Sequence, residues 1–135
     1  MKKNVVAVAT ANTYEMVTRY GIHAHPAVAP YPKPRDYLIP IKAGGQCEYI
    51  YSVVRTIDII PDDIKSILPE LNDKERKALW GYFEARVNSY GFSRIGVPYR
   101  FYILEKIGCI EQPFYKKGIQ NCVLMDYDEI PIVDE

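Results

Sequence analysis

The sequence predicts an α+β domain: a curved mixed sheet or partly open β-barrel flanked by helices. Three observations carry that reading. A short apolar run, Val5-Val6-Ala7-Val8-Ala9, is rich in β-branched residues, as buried strands are. A segment opening at Asn72 carries a helix-start signature followed by apolar residues at three- and four-residue steps. The order of elements, β, α, β-hairpin, α, β, β, lacks the regular alternation of a doubly wound parallel sheet. At 135 residues the chain has the length of one domain, read here as 1–135.

After the first strand, Thr10-Ala11-Asn12-Thr13 supplies polar caps for a helix over residues 14–20, which Gly21 ends. Five prolines follow, Pro26, Pro30, Pro32, Pro34 and Pro40; they fix φ and remove donors, predicting mostly ordered loop from His25 onward. Tyr37-Leu38-Ile39, the Gly44-Gly45 turn and residues 49–57 read as a hairpin with a longer second arm. Residues 62–68 form a short helix or turn. Asn72-Asp73-Lys74-Glu75 then opens the second helix as a capping box, with Leu79, Phe83, Val87 and Tyr90 as its core face and Gly91 as its end. Residues 100–107 are a strand of aromatic and branched side chains. A short segment over 110–115 ends at Lys116-Lys117-Gly118, and 123–125 form a last strand.

Lysine plus arginine and aspartate plus glutamate both number 17, so no global field draws the protein to nucleic acid or anionic lipid. Any nucleic-acid contact must come from a local patch. Lys33, Arg35, Arg94, Arg100, Lys116 and Lys117 fall in loop-like stretches, whereas acids gather at Asp62, Asp63 and over 126–135. That layout fits a basic face opposite an acidic tail, or simply a solvated surface. Cys47, Cys109 and Cys122 form no C-x-x-C pair, which argues against a disulfide scaffold or zinc ribbon. Met1-Lys2-Lys3 before the apolar run has the charge order of a secretory signal, and Ala9-Thr10-Ala11 imitates a cleavage site. The run is barely long enough and is β-branched, so it reads as a strand and the location as cytoplasmic. No apolar run approaches the roughly 20 residues of a membrane-spanning helix.

Asp62-Asp63-Ile64-Lys65 superficially spells a nuclease pattern, but metal-binding carboxylates of that kind converge from separate strands, whereas these are adjacent in one turn. Capping of a helix start is the plainer role. His23-Ala24-His25 sends two imidazoles to one face of an extended segment, without identifiable third and fourth ligands for zinc; Cys47 brings no spacing to test. Gly44-Gly45 lacks the downstream Gly and Lys of a phosphate loop. No catalytic residue, metal or cofactor is assigned.

Twelve tyrosines are the strongest compositional oddity. Their rings can stack on bases, or fill half-buried strand faces as Tyr49 and Tyr51 do at two-residue spacing. Three stretches together resemble the PUA-like superfamily, particularly its small EVE and ASCH-type members. They are Val5-Val6-Ala7-Val8-Ala9 leading into a short helix, Arg35-Asp36-Tyr37-Leu38-Ile39-Pro40 turning into Tyr49-Ile50-Tyr51-Ser52-Val53-Val54, and Tyr99-Arg100-Phe101-Tyr102-Ile103-Leu104. Many members carry a Gly-Asp turn before the hairpin; here Pro32-Lys33-Pro34-Arg35-Asp36 stands in its place. The resemblance implies a cleft beside the first strand, used for RNA or for a modified, flipped-out base in DNA. It places Asn12 and Tyr14 near a base pocket. Arg94, Arg100, Lys116 and Lys117 are the candidates for phosphate contacts. The expected function is therefore nucleic-acid binding, including the reading of modified bases, with DNA or RNA as partner. Two alternatives stand beside it: a protein-interaction or regulatory module, in which the Pro-rich loop and exposed tyrosines meet a partner chain, and a metal-dependent nuclease or hydrolase.

Overall fold

The computed structural model describes residues 3–28, 31, 33–92, 94 and 96–133. Met1 and Lys2 of the signal-like start, Pro30 and Pro32 of the proline-rich stretch, and Asp134 and Glu135 of the acidic end lie outside the described residues.

Among the described residues seven strands, β1 (Val5–Ala9), β2 (Ile22–Pro26), β3 (Tyr37–Ile41), β4 (Tyr49–Ile59), β5 (Tyr99–Ile110), β6 (Cys122–Met125) and β7 (Ile132–Val133), form one open mixed sheet in the order β2-β5-β4-β3-β1-β6, with β7 on β5. Two α-helices, α1 (Tyr14–Tyr20) and α2 (Asp73–Val87), join it to make an α+β fold. β1 runs parallel to β3 and antiparallel to β6; the other pairs are antiparallel. Register shifts between Ile50 and Tyr51 and between Val53 and Arg55 interrupt the long β4–β5 ladder, and such irregularities bend a strand.

The period of two explains why β1 is apolar throughout. Val6 and Val8 enter a core with Val17, Ile22, Leu79, Tyr82 and Phe101, whereas Val5 and Ala7 enter a second core with Ile39, Ile50, Ile110 and Met125. The strand is covered on both faces. His23-Ala24-His25, read as an extended segment, is the middle of β2; the loop expected from His25 begins only after Pro26, and Pro40, expected within it, lies in β3. Pro26 occupies the last strand position, and Pro40 pairs with Val8 where the β3–β4 ladder, limited to Tyr37 and Leu38, has already parted.

Helix α2 starts as its sequence dictates: Asn72 accepts from the Glu75 N–H at 2.8 Å while the Glu75 carboxylate accepts from the Asn72 N–H. Its buried row differs from the expected one. Leu79, Tyr82 and Arg86 face the core, Phe83 is half-buried against Trp80 and Phe92, and Val87 and Tyr90 are exposed. Helix α1 packs on α2 where Gly81 makes room: a Cβ there would stand 2.5 Å from the Tyr20 ring. Gly21 ends α1 at φ 68° with its N–H on the Val17 carbonyl. Among the described residues no helix is long and apolar enough to cross a membrane.

Candidate functional site

Where β1 runs out toward α1, a recess of about 380 Å³ opens between the 9–13 segment, β2, the end of α2 and the 119–121 loop. Its inner end is built by two elements. Alternation along β2 puts His23 and His25 on one face, with ring centroids 5.9 Å apart. The last turn of α2 contributes Arg86, which is buried.

Each imidazole has a different situation. His25 Nδ1 donates to the Pro26 carbonyl at 2.7 Å, leaving Nε2 to accept from the Tyr102 hydroxyl at 2.8 Å. Burial holds its pKa below the ordinary histidine value, with the Pro26 hydrogen bond opposing, and burial raises Tyr102 to about 12. His23 is 6% exposed, and its Nδ1 is a buried side-chain polar atom with no partner among the described residues. Burial, then the neighbouring His25 and Arg86, push its pKa well below the usual range, so the ring is neutral at pH 7. The His25 ring stacks on Tyr31 at 5.2 Å and 9°.

Arg86 is stitched in by main chain and rings rather than by an acid. Nε donates to the Gly91 carbonyl at 2.9 Å, and Nη1 to the Ala24 carbonyl at 2.9 Å and the Tyr82 hydroxyl at 2.8 Å. The guanidinium lies 4.5 Å from the Phe92 ring centre and 5.5 Å from that of Tyr99. Among the described residues no carboxylate lies within ion-pair distance, and Nη2 has no hydrogen-bond partner. Tyr31 and the exposed Tyr90 add aromatic surface, and the exposed amides of Asn12, Gln120 and Asn121 also line the recess.

The residues expected from sequence are placed unevenly. Asn12 lines this recess and does not cap α1: the cap position is Thr13, and no side chain bonds the helix start there. Tyr14 does not line it. Its ring is buried behind α1, with the hydroxyl donating to Glu48 Oε1 at 2.6 Å; Lys42 Nζ is 3.4 Å from the same carboxylate oxygen and 5.5 Å from the Tyr14 ring centre. These three line a separate depression of about 530 Å³, where Lys106 lies over Tyr49. Arg94 is exposed and stands 5.7 Å above Tyr31, next to the recess. Arg100 sits within β5, not in a loop, and is held to Asp58 by two bonds of 2.9 and 3.0 Å. Lys116 and Lys117 lie over Phe114 and Tyr115, outside the recess, although the loop they begin reaches it at Ile119. Asp62 and Asp63 are exposed in a 3-10 turn, and no group of three or more potential metal ligands occurs among the described residues. The shared face of His23 and His25 was legible from their two-residue spacing, whereas the stacking of Tyr31 on His25 was not. Nothing in the sequence pointed to Arg86.

No protein-family model, curated protein or solved structure matches the chain.

Proposed function

We propose that the chain is a nucleic-acid-binding domain that admits one unpaired base, from RNA or from locally opened DNA, into the recess at the end of β1. The observation that carries this reading is the composition of that recess. It combines a stacked aromatic pair, amides with both donors and acceptors, and a buried cation, which is what planar recognition of a base edge requires. Arg94, exposed beside Tyr31, is placed to meet the phosphate that follows such a base. Modified bases belong to the same class of ligand.

The test is binding of labelled single-stranded DNA and RNA, with and without modified bases, across a salt series. Affinity falls as salt rises, because neutralised phosphates release counterions. Arg94→Ala lowers the slope of log affinity against log salt by about 1. Asn12 makes no cap bond, so Asn12→Asp leaves the melting temperature nearly unchanged but weakens binding by replacing amide donors with a carboxylate. Absence of salt-sensitive binding to every oligonucleotide in the set would sink the reading.

A further inference from the structure

Arg86 carries a charge that the fold does not cancel. It is 5% exposed, and among the described residues no carboxylate lies within ion-pair distance of it. Its hydrogen bonds go to two carbonyls and a hydroxyl, and the guanidinium lies 4.5, 5.3 and 5.5 Å from the ring centres of Phe92, Tyr90 and Tyr99. Dipoles and ring faces attract a cation but leave its charge in place. A buried arginine is ordinarily paired with an anion.

The surroundings repeat the imbalance. Basic and acidic residues are equal in number over the whole chain, yet none of the described residues lining the recess is an acid. The lining brings two imidazoles and three amides beside Arg86, and a second cation, Arg94, stands over Tyr31 next to it. The guanidinium also has a nitrogen to offer. Among the described residues the buried side-chain polar atom without a partner is His23 Nδ1, so Arg86 Nη2, which also has no partner, keeps accessible surface.

We infer that the recess takes a phosphate monoester, the charged end of a nucleotide, with Arg86 as its counter-charge and hydrogen-bond donor. The nucleotide part of that ligand rests on the base-binding reading above, whereas the anion rests on Arg86 itself.

The chemistry follows from what the groups can do. A guanidinium only donates, so its ligand is an acceptor. The edge of a neutral base would meet the hydrogen bond and leave the charge, whereas a phosphate oxygen meets both. His23 and His25 are held neutral by burial, so the positive charge at the inner end is that of Arg86. A recess of about 380 Å³ lies at the small end of ligand-sized cavities, which suits one nucleotide rather than a loop of chain. An internal phosphodiester would have to enter with chain on both sides. A terminal phosphate enters alone. The stacked His25–Tyr31 pair then gives the attached base a planar surface, and Arg94 remains for the next phosphate of a strand.

The experiment keeps Arg86, whose removal would loosen α2 from β2, and adds negative charge to the recess instead. Equal-length single strands with a 5′-phosphate, a 3′-phosphate or two hydroxyl ends are titrated into the full chain at constant ionic strength, alongside nucleoside monophosphates and inorganic phosphate. One phosphorylated end should bind tighter than the hydroxyl strand by roughly ten-fold or more, the worth of a hydrogen bond between charged groups. Inorganic phosphate should displace that strand where chloride of equal ionic strength does not. Asn12→Asp and Gln120→Glu each place a carboxylate at an exposed lining position, and at least one of them should lower the preference several-fold with the melting temperature nearly unchanged. Equal affinity for phosphorylated and hydroxyl strands overturns the phosphate assignment and leaves base binding standing. A preference undiminished in both variants overturns it too, because the phosphate would then be held outside the recess. Binding of nucleoside monophosphates with no strand bound supports the assignment, makes a free nucleotide the source, and overturns the strand-binding function alone. Absence of binding to strands, monophosphates and inorganic phosphate alike overturns both.

Discussion

Two hollows flank helix α1, and the larger one is chemically the quieter. Behind α1, in the depression of about 530 Å³, the Tyr14 hydroxyl, the Glu48 carboxylate and the Lys42 ammonium satisfy one another. In front, beside the recess of about 380 Å³, His23 Nδ1 is buried without a partner among the described residues, and Arg86 is held by carbonyls and a hydroxyl with no carboxylate within ion-pair distance among them. Volume alone would have chosen the first. A ligand, however, is recognised by polar valence the fold has not consumed, and by that measure the second is the better candidate.

The contrast is broken most severely at Arg86. Arg86→Ala removes three hydrogen bonds that join α2, β2 and the Gly91 turn, and strands the Ala24 and Gly91 carbonyls. We expect a loss of about 3–5 kcal/mol in urea unfolding; a loss below about 1 kcal/mol would show that the guanidinium is not part of the scaffold. Acid should act next. Unfolded histidines take up protons below about pH 6.5, whereas His23 and His25 are held neutral in the fold. Both folded pKa values are lowered, so stability is retained above the ordinary histidine range and declines as pH falls through it. The decline is at most about 1.4 kcal/mol per pH unit for each ring. Unfolding at pH 7.5 and 5.5 checks this, and His23→Leu should reduce the difference.

On the quiet side the effects are smaller. Tyr14→Phe deletes one hydrogen bond to Glu48 but leaves Lys42 on that carboxylate, and we expect a cost of about 1–2 kcal/mol with no change in ligand binding. Impaired oligonucleotide binding in that variant would return Tyr14 to the site and erase the contrast. Asp58→Asn, at the partly exposed pair with Arg100, should cost about 0.5 kcal/mol and leave binding unchanged unless the freed arginine turns to phosphate.

Much of the frame was legible because local chemistry decided it. The Val5–Ala9 run, the Asn72–Glu75 capping box and the Gly21 cap act over a few residues, and tertiary packing agrees with them. The α2 face was misread for a physical reason. Hydropathy assigned Phe83, Val87 and Tyr90 to the core; Phe83 is partly buried and packs against it, but Val87 and Tyr90 are exposed, and Arg86 takes the buried row with Phe92 under its guanidinium and the Gly91 and Ala24 carbonyls as acceptors. No local pattern announces that, because two of the three hydrogen-bond partners of Arg86 lie 62 residues upstream and in the turn beyond the helix. Tyr14 lies away from the recess for a related reason. Its hydroxyl is claimed by a residue 34 positions away.

Gly81 lies outside both hollows, yet it governs how they are aligned. It is the notch in which the Tyr20 ring sits, and through that contact α1 is seated on α2. The mouth of the recess, with Asn12 just ahead of α1, and its inner end, with Arg86 five residues beyond Gly81 on α2, thus belong to two rods registered against each other at one missing methyl group. An added methyl there would act as a shim between the rods, changing the width of the opening while every side chain that lines it stays the same.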